Sequence, residues 1–337
     1  MAAALYDPTE GYYARPAGQV GRAGDFYTSV STGSLFGRLL ARHISDWHRG
    51  IGSPSRWRIV EVGANDGSLA ADILESLSGS SPESEPEYVI IEPLSLLAAA
   101  QRAKVPTARV IQTSEELAAD PLPTFVLGNE VLDALPFHII ESHDGSWQEL
   151  GVTLGNEEQF TWQPLGPASE GLVSGLPRLA PGYRTEVRSG TRDFLKSLAV
   201  ETGRMLWIDY GYPREDYYHV ARTTGTLRTF SSHRAAEDPL ATPGEIDITA
   251  HVDFTAVADD IEALGGRVIR FEPQSRFLTN VARPWLLELE GRTDDAVQKD
   301  LAAFQTLTHP GHLGARFHVL EASFGEPDLR SGPKISI

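Results

Sequence analysis

The chain has 337 residues, a formal net charge of −17 and no cysteine, and 41% of its residues are hydrophobic. This length allows one large domain with insertions or two ordinary domains. The lack of thiols excludes disulfides, thiolate zinc sites, cysteine-held iron–sulfur clusters and a cysteine nucleophile. The acidic balance disfavours binding to duplex nucleic acid, whereas it can attract a basic protein or peptide.

The first residues, MAAALYDPTEGYYA, carry no basic region and no extended apolar segment. We therefore expect neither a signal peptide nor a transit peptide, and predict a cytoplasmic protein. No apolar run elsewhere is long enough to span a bilayer, so we expect no membrane span. The ten histidines show no metal-ligand spacing, so we expect no metal site.

The first half of the chain alternates between strand and helix patterns. An aromatic-rich arm (1–34) precedes an amphipathic helix at 35–49. Short apolar runs then predict strands, and 3.6-residue periodicity between them predicts helices. This alternation is typical of βαβ units in a doubly wound parallel sheet. The predicted strands are 57–63, 88–93, 108–113 and 124–130, and the predicted helices are 68–77 and 94–104.

Two insertions interrupt this α/β pattern. Residues 137–190 predict a β-hairpin that turns at Asp144-Gly145, followed by a Gly/Pro-rich loop over 164–182. Residues 213–250 form the second insertion. Around them the pattern continues with a helix near 190–200, a strand at 204–212, a helix over 252–266 and strands at 267–273 and 315–324. We therefore expect one elaborated α/β domain, with residues 1–50 as an arm and helix and 51–337 as the core.

A glycine turn follows the first predicted strand in the sequence Glu61-Val-Gly63-Ala-Asn65-Asp-Gly67. Glycines at the carboxyl end of a strand let the backbone approach a ligand at the switch point of an open sheet. The spacing is Gly-x-x-x-Gly, whereas a pyrophosphate cradle needs Gly-x-Gly-x-x-Gly. With Asn65 beside it, this turn suits an uncharged or cationic group better than an anion, as in the amino-acid moiety of S-adenosylmethionine.

Glu92 ends the next predicted strand. A carboxylate at this position can accept hydrogen bonds from two ribose hydroxyl groups. The glycine turn and Glu92 together predict a nucleoside cofactor. An NAD-linked enzyme shares Glu92 and remains the rival, although the glycine spacing counts against it.

The fourth predicted strand ends in Gly128-Asn129-Glu130-Val-Leu-Asp133. Because this strand neighbours the first across the switch point, its end should face the reactive part of the cofactor. Asn129 is either a helix cap or a ligand. Glu130 and Asp133 can hold a cationic nucleophile in line with a methyl group. We predict Glu130 as the catalytic carboxylate and Asp133 as its support.

Other polar residues remain ambiguous from the sequence. His251, in the segment from Asp247 to Asp253, is either a structural histidine or a base. Asp209 and Tyr210 end a strand and either line the site or cap its turn. Glu186 is another ambiguous residue, which could pair with its neighbouring arginines.

Eight segments of the chain resemble those of the MidA-like methyltransferases. This family includes the mitochondrial protein-arginine methyltransferase that assists assembly of respiratory complex I. The segments occur in family order across nearly the whole chain, and their combination is highly specific. They are YDPTEGYYA (6–14), GDFYTS (24–29), LFGRLLA (35–41), EVGANDGSLAADIL (61–74), GNEVLDALPFH (128–138), LWIDYGY (206–212), GTLRTF (225–230) and DPLATPGEIDITAHVDF (238–254).

The resemblance implies a Rossmann-like class I methyltransferase fold whose last strand is antiparallel. It implies that an arm containing Thr28 closes over the cofactor and that the cofactor is S-adenosylmethionine. For the characterised eukaryotic members it implies symmetric dimethylation of an arginine in a partner protein. The residues that it assigns to the cofactor are Glu61, Gly63, Gly67 and Glu92, with Asn129 at the pocket.

The chain departs from the family pattern near the arm. An acid expected near position 31 is replaced by Val30-Ser31-Thr32, which weakens the inference of arginine specificity. Ala64-Asn65 replaces a common Pro-Gly, a change that cofactor binding should tolerate. Since no transit peptide is expected, we predict a bacterial cytoplasmic member.

Three functions remain open from the sequence. The first is methylation of an accessible arginine in a partner protein. The second is an N- or O-methyltransferase of small molecules, and the third is a cofactor-binding assembly factor with little turnover. The oligomeric state also remains open, including a homodimer.

Overall fold

The computed structural model describes residues 1–14, 28–78, 85–117, 121–155, 159–198, 200–231, 234–236, 238–326 and 337. Most of the predicted GDFYTS arm lies outside these ranges. The α-helices are α1 (Ala2–Tyr6), α2 (Leu35–Gly50), α3 (Ser68–Ser78), α4 (Ser95–Lys104), α5 (Glu170–Val173), α6 (Thr191–Ser197), α7 (Arg214–Tyr217), α8 (Phe254–Ala263), α9 (Gln274–Glu288) and α10 (Asp295–Thr308). Short 3₁₀ turns lie at Tyr12–Ala14, Val30–Thr32 and Ser114–Glu116.

The strands form three sheets. In chain order they are β1 (Arg58–Val62), β2 (Glu87–Ile91), β3 (Arg109–Ile111), β4 (Thr124–Asn129), β5 (His138–His143), β6 (Ser146–Leu154), β7 (Phe160–Pro167), β8 (Arg184–Val187), β9 (Gly203–Tyr212), β10 (Arg228–Ser231), β11 (Arg234–Ala236), β12 (Asp247–Thr249), β13 (Val252–Asp253), β14 (Arg267–Pro273) and β15 (Phe317–Phe324).

The central eight-stranded sheet has the order β14-β15-β9-β4-β1-β2-β3, and β13 pairs with β9. β15 is antiparallel to β9 and β14, whereas the β1–β2, β1–β4, β2–β3 and β4–β9 pairs are parallel. The predicted doubly wound sheet with an antiparallel last strand is therefore confirmed. The chain adds strands first on one side of β1 and then on the other side. This reversal of strand order places a switch point between β1 and β4.

Helices cover both faces of the central sheet, as its apolar strands require. In β1, Ile59 packs on the face of α2 and α3, whereas Val60 and Val62 pack on the face of α6 and α8. The sequence pattern did not predict α9 and α10. These helices add Phe277, Leu278 and Leu307 to the core on the first face. No helix in the described part of the chain combines the length and apolarity needed to cross a membrane.

The first insertion forms a four-stranded sheet of order β7-β6-β5-β8. Its hairpin turns at Asp144-Gly145 as predicted, with positive φ at both residues. The predicted 164–182 loop is wrong at its start, because 164–167 belong to β7, and α5 lies within it. β7 is an edge strand, and a register shift opposite Leu150 accommodates its prolines. The second insertion contributes the three-stranded sheet β11-β10-β12.

A buried carboxylate ties α2 to the antiparallel end of the sheet. Glu321 of β15 has no exposed surface and contacts His43 at 2.9 Å, Arg204 at 2.7 Å and Arg270 at 3.0 Å. Burial opposes its ionisation, but contacts with His43, Arg204 and Arg270 outweigh burial and hold the pKa of Glu321 well below its usual range.

We expect Glu321→Gln to lower the free energy of unfolding at pH 7 by about 1.5–3 kcal/mol, because the hydrogen bonds at this position lose their charged acceptor. The loss is moderate, since Arg204 keeps its contact with Glu326 and Arg270 keeps its contact with Glu272. A depressed carboxyl pKa stabilises the fold above the unfolded-state value of 4.5, and this contribution is lost as the pH falls below it. Urea unfolding at several pH values checks this result. If Glu321→Gln lowered the free energy of unfolding equally at pH 7 and at pH 3, the depressed pKa of Glu321 would be contradicted.

Candidate active site

The carboxyl ends of β1, β2 and β4 open into a cavity of ≈ 580 Å³. Its floor is lined by the ends of these strands and the residues that follow them, which are 61–66, 91–94, 129–131 and 133–135. Side chains from the N-terminal segment, α6 and β12 complete the wall. The cavity therefore lies at the switch point, where open α/β sheets bind ligands.

The glycine turn after β1 depends on left-handed backbone. Gly63 has φ +68°, and a Cβ at this position would approach the Val131 side chain to 2.8 Å. Asn65 has φ +46° and lines the cavity. Gly67, with φ +82°, does not line the cavity; its N–H closes the turn on the Ala64 carbonyl at 2.8 Å. Gly67 thus shapes the turn, whereas Gly63 and Asn65 lie at the cavity wall.

Glu61 is a buried carboxyl group on this wall. It is 2% exposed and accepts a 2.6 Å hydrogen bond from the Tyr88 hydroxyl group. Burial raises the pKa of Glu61 to about 7, although the Tyr88 bond opposes the increase. A ligand ammonium group at this position would favour the ionised carboxylate.

Glu92 lies at the end of β2, as predicted, and its carboxylate is held from two sides. Oε1 accepts from the Leu94 N–H at 2.9 Å, and Oε2 accepts from the Gln101 amide at 3.0 Å. The same Gln101 amide donates to the Asn65 carbonyl at 2.8 Å. Gln101, on α4, therefore fixes the glycine turn relative to Glu92. The sequence did not predict this role of Gln101.

Asn129 and Glu130 lie at the end of β4, inside the cavity. The Asn129 amide donates to Glu130 Oε1 at 3.1 Å, and Asn129 Oδ1 is buried without a hydrogen-bond partner. Glu130 has φ +56°, a strained conformation for a non-glycine residue. Burial and the neighbouring Asp133 carboxylate raise the pKa of Glu130 to about 8.

Asp133 lies beside the half-buried Glu130 and is itself buried. The Tyr210 hydroxyl group donates to Asp133 Oδ2, whereas Oδ1 has no partner. Burial raises the pKa of Asp133, against the opposing effects of Tyr210 and Arg188. The Arg188 guanidinium donates to the Asp133 backbone carbonyl at 2.8 Å.

Asp209 of β9 holds the strained segment in place. Its Oδ2 accepts from the backbone N–H groups of residues 131, 132 and 133 at 3.1, 2.9 and 3.2 Å. The side chain is 1% exposed and does not line the cavity. Of the two sequence alternatives for this strand end, Asp209 caps the turn, and Tyr210 lines the cavity.

His251 and Glu186, two of the ambiguous residues, do not line the cavity. The His251 ring lies 5.3 Å from that of Tyr210, centroid to centroid. Burial, followed by three arginines, lowers the pKa of His251 to about 3. Glu186 does not pair with its neighbouring arginines; it accepts bonds from the Thr226 N–H and hydroxyl and from the Leu227 N–H.

The N-terminal segment contributes aromatic and hydroxyl groups to the wall. The Tyr6 hydroxyl donates to the Ala134 carbonyl at 2.8 Å, and the Tyr13 hydroxyl donates to Asp247 Oδ1 at 2.9 Å. Thr28 and Ser31 also line the cavity. Tyr6 and Tyr13 were not predicted as site residues, because only the folded chain brings them to β4 and β12.

The ionisable side chains that line this cavity are acidic. Six carboxyl groups line it, from Glu61, Asp66, Glu92, Glu130, Asp133 and Asp247, and none of the described lining residues is Lys, Arg or His. Such a cavity favours a cationic ligand and lacks the cationic contacts of a dinucleotide pyrophosphate site. Among the described residues no group of His, Asp and Glu has the arrangement of a metal site.

The fold and the cavity define a Rossmann-like protein that binds a cationic nucleoside ligand. A family model described as "Putative S-adenosyl-L-methionine-dependent methyltransferase" matches residues 39–271. The chain belongs to this family of S-adenosylmethionine-dependent methyltransferases, the MidA-like group that the motifs predicted.

Similar proteins agree with this assignment. The mitochondrial protein arginine methyltransferase NDUFAF7 homolog of Drosophila melanogaster is 30% identical, over 95% of this chain and 79% of that protein. The human mitochondrial protein arginine methyltransferase NDUFAF7 is 25% identical, over 94% of this chain and 77% of that protein. A Burkholderia thailandensis protein crystallised with S-adenosyl-homocysteine has a TM-score of 0.85 and 29% identity, with 96% of this chain and 86% of that chain covered.

The residues present fit S-adenosylmethionine, the cofactor of the family. The carboxylates and the unpartnered Asn129 Oδ1 are acceptors for hydroxyl and ammonium donors, and apolar Leu94 and Leu97 line the wall near Glu92. Glu92 would hold the ribose, Glu61 the ammonium group and Gly63 the close backbone approach. When bound, the cofactor supplies a methyl group on a sulfonium.

Proposed function

We propose that this methyltransferase N-methylates an arginine of a partner protein. The observation that supports the proposal is the pair of acids at the end of β4, the half-buried Glu130 and the buried Asp133. Glu130 and Asp133 line the same cavity as the cofactor residues, and Asp133 Oδ1 has no partner. A guanidinium group presents planar N–H donors that match two adjacent carboxylates.

In this proposal Glu130 orients the guanidinium and removes its proton. The guanidinium nitrogen would bond to the methyl carbon as the bond from that carbon to the sulfonium sulfur breaks. S-adenosyl-homocysteine would then be the leaving group, and the proton would pass to Glu130. Asp133 holds a second N–H of the same guanidinium, with its own orientation set by Tyr210. Asn129 fixes Glu130 Oε1, and Asp209 fixes the backbone between them. We assign no chemical step to His251.

The remaining site and domain assignments extend this proposal. Thr28, Glu61, Gly63, Asn65, Glu92 and Asn129 form the cofactor side, and Gly67 supports it through the turn. Residues 1–50 form an arm and helix over the site, and 51–337 form the core with insertions 137–190 and 213–250. The acidic surface favours a basic partner protein rather than nucleic acid.

Location and assembly are part of the proposal as well. We propose a bacterial cytoplasmic protein, in line with the Burkholderia relative, whereas the animal relatives are named mitochondrial. A homodimer is compatible with this function. Sedimentation of the purified protein decides between one and two copies.

The pKa of Glu130 predicts the pH dependence of the reaction. Because the ionised carboxylate accepts the proton, kcat/KM should rise with pH and level off above about pH 8. Initial rates between pH 6 and 9 measure this profile. A rate that is flat or falls over this range would contradict the role of Glu130, and Glu170→Gln on the exposed α5 is the control.

Transfer of a tritiated methyl group tests the proposed function. The purified protein is incubated with labelled S-adenosylmethionine and a lysate, and labelled protein is hydrolysed to amino acids. We expect label in methylarginine. Label confined to metabolites would instead establish a small-molecule methyltransferase, the alternative that Ser31 in place of an acid favours. Cofactor binding without any transfer would support the assembly-factor alternative.

A further inference from the structure

Three arginines next to the active site differ from the other ion-paired arginines. Arg204 and Arg270, for example, contact carboxylates at 2.7 and 3.0 Å. Arg188, Arg222 and Arg228 have no carboxylate partner in the described part of the chain and donate to backbone carbonyl groups instead. In a protein with a formal charge of −17, these three cationic groups lie near the same residue, His251.

The hydrogen bonds of these arginines leave their charge uncompensated. Arg188 donates to three carbonyl oxygens at 2.6–2.8 Å. Arg222 donates to the Asp216 and Tyr217 carbonyls, and Arg228 to one carbonyl at 2.7 Å. A carbonyl dipole fixes a guanidinium group but does not neutralise it. The group therefore retains affinity for a carboxylate.

A short series of ring contacts connects these arginines to the cavity. Tyr210 lines the cavity, and its ring lies 5.3 Å from that of His251. The His251 ring lies 5.0 Å from that of Tyr212, and the Arg222 guanidinium lies 4.1 Å above Tyr212. Arg228 is exposed on β10, opposite Thr249.

His251 lies within reach of the charge of all three arginines. After burial, the three causes that lower its pKa are Arg228, Arg222 and Arg188, and no carboxylate opposes them. An acidic cavity and a basic rim thus lie side by side.

We propose that Arg222 and Arg228 form a carboxylate-binding rim, and that this rim selects partner proteins with an acidic residue within about four positions of the target arginine. The inference rests on the proposed arginine methylation. The three successive contacts from Tyr210 to Arg222, of 5.3, 5.0 and 4.1 Å, set an upper bound on their separation. About four extended residues at ~3.3 Å each cover that length. Arg188, held by carbonyl groups, contributes to the field rather than to direct contact.

Binding of short peptides to the protein saturated with S-adenosyl-homocysteine tests the rim. The probes are acetylated Gly/Ser peptides with one central arginine, flanked on both sides by Asp, Asn or Lys. We expect the Asp peptide to bind about 5- to 20-fold more tightly than the Asn peptide at low salt. Arg228→Glu should abolish this preference and favour the Lys peptide. Arg292→Glu, on an exposed loop between α9 and α10, is the matched control.

Several outcomes would overturn the rim. They are equal affinity for the Asp and Asn peptides, an unchanged preference in Arg228→Glu, or no binding of the Asp peptide at 1 mM. A phosphoserine-flanked peptide that alone binds would assign the rim to phosphate rather than carboxylate and also overturn the proposal. Methyl transfer is scored separately: bound peptides that keep the flank preference but receive no methyl group would reject the proposed function and leave the rim standing.

Discussion

Glu130→Gln is expected to lower kcat about 10²- to 10⁴-fold, the range that a positioned acid or base contributes. The amide keeps the size of the side chain but cannot take the proton from the nucleophile. Because Asn129 donates to Glu130 Oε1, the variant retains a hydrogen-bond acceptor for that contact. The affinity for S-adenosylmethionine should change little, since Glu130 belongs to the acceptor side of the cavity. Single-turnover transfer of a labelled methyl group measures the loss.

Two controls separate this effect from misfolding. Glu170→Gln, on the exposed α5, should have wild-type activity. Binding of S-adenosyl-homocysteine to Glu130→Gln reports an intact site. Transfer within threefold of wild type by a variant that binds normally would remove Glu130 from the proton-accepting role.

Glu92→Ala is expected to weaken S-adenosylmethionine binding on the order of 10²- to 10⁴-fold. Hydrogen bonds to a charged group contribute about 1.5–3 kcal/mol each, and a ribose offers two hydroxyl groups to this carboxylate. Glu92 also accepts from Leu94 and Gln101, so the variant loses some stability as well. Calorimetric titration measures the affinity.

Two comparisons make the Glu92 result specific. Glu75→Ala, on the exposed face of α3, removes an acid without touching the cavity and should bind normally. NADH should not bind to the wild type, because the turn has the wrong glycine spacing and the wall lacks cations. Unchanged affinity of Glu92→Ala for the methyl donor would show that its ribose lies elsewhere.

The central fold was predictable because its strands are buried on both faces and separated by periodic helices. Ile59, Val60 and Val62 alternate between the two cores, as a covered parallel sheet requires. β7 was missed because its prolines are typical of loops, and only an edge position with a register shift tolerates them. Helix α9 carries an internal proline, Pro284, which obscures its helical pattern.

The site was predictable where its residues follow strand ends. Glu61, Glu92, Asn129 and Glu130 each end a parallel strand, and parallel strands bring these ends to one edge. The supporting contacts were not predictable, because they join distant segments. Gln101, for instance, looks like an ordinary polar helix residue until the fold places it between Asn65 and Glu92.

Several further supporting contacts are likewise visible only in the folded protein. Residues 133–134 accept hydrogen bonds from segments that lie 54 or more positions away in the chain. The donors are Tyr6, Arg188 and Tyr210. Local pattern carries no information on such pairs. The sequence therefore predicts the chemistry at the strand ends but not the side chains that orient it.

A structure of the protein crystallised with S-adenosyl-homocysteine tests the arrangement of the site most directly. We expect the ribose hydroxyl groups to contact Glu92 and the amino-acid moiety to lie at Glu61 and Gly63. We expect the sulfur to face Glu130 and Asp133. A ligand whose sulfur points away from Glu130, or whose ribose does not contact Glu92, would contradict the proposed division of this cavity into a cofactor side and an acceptor side.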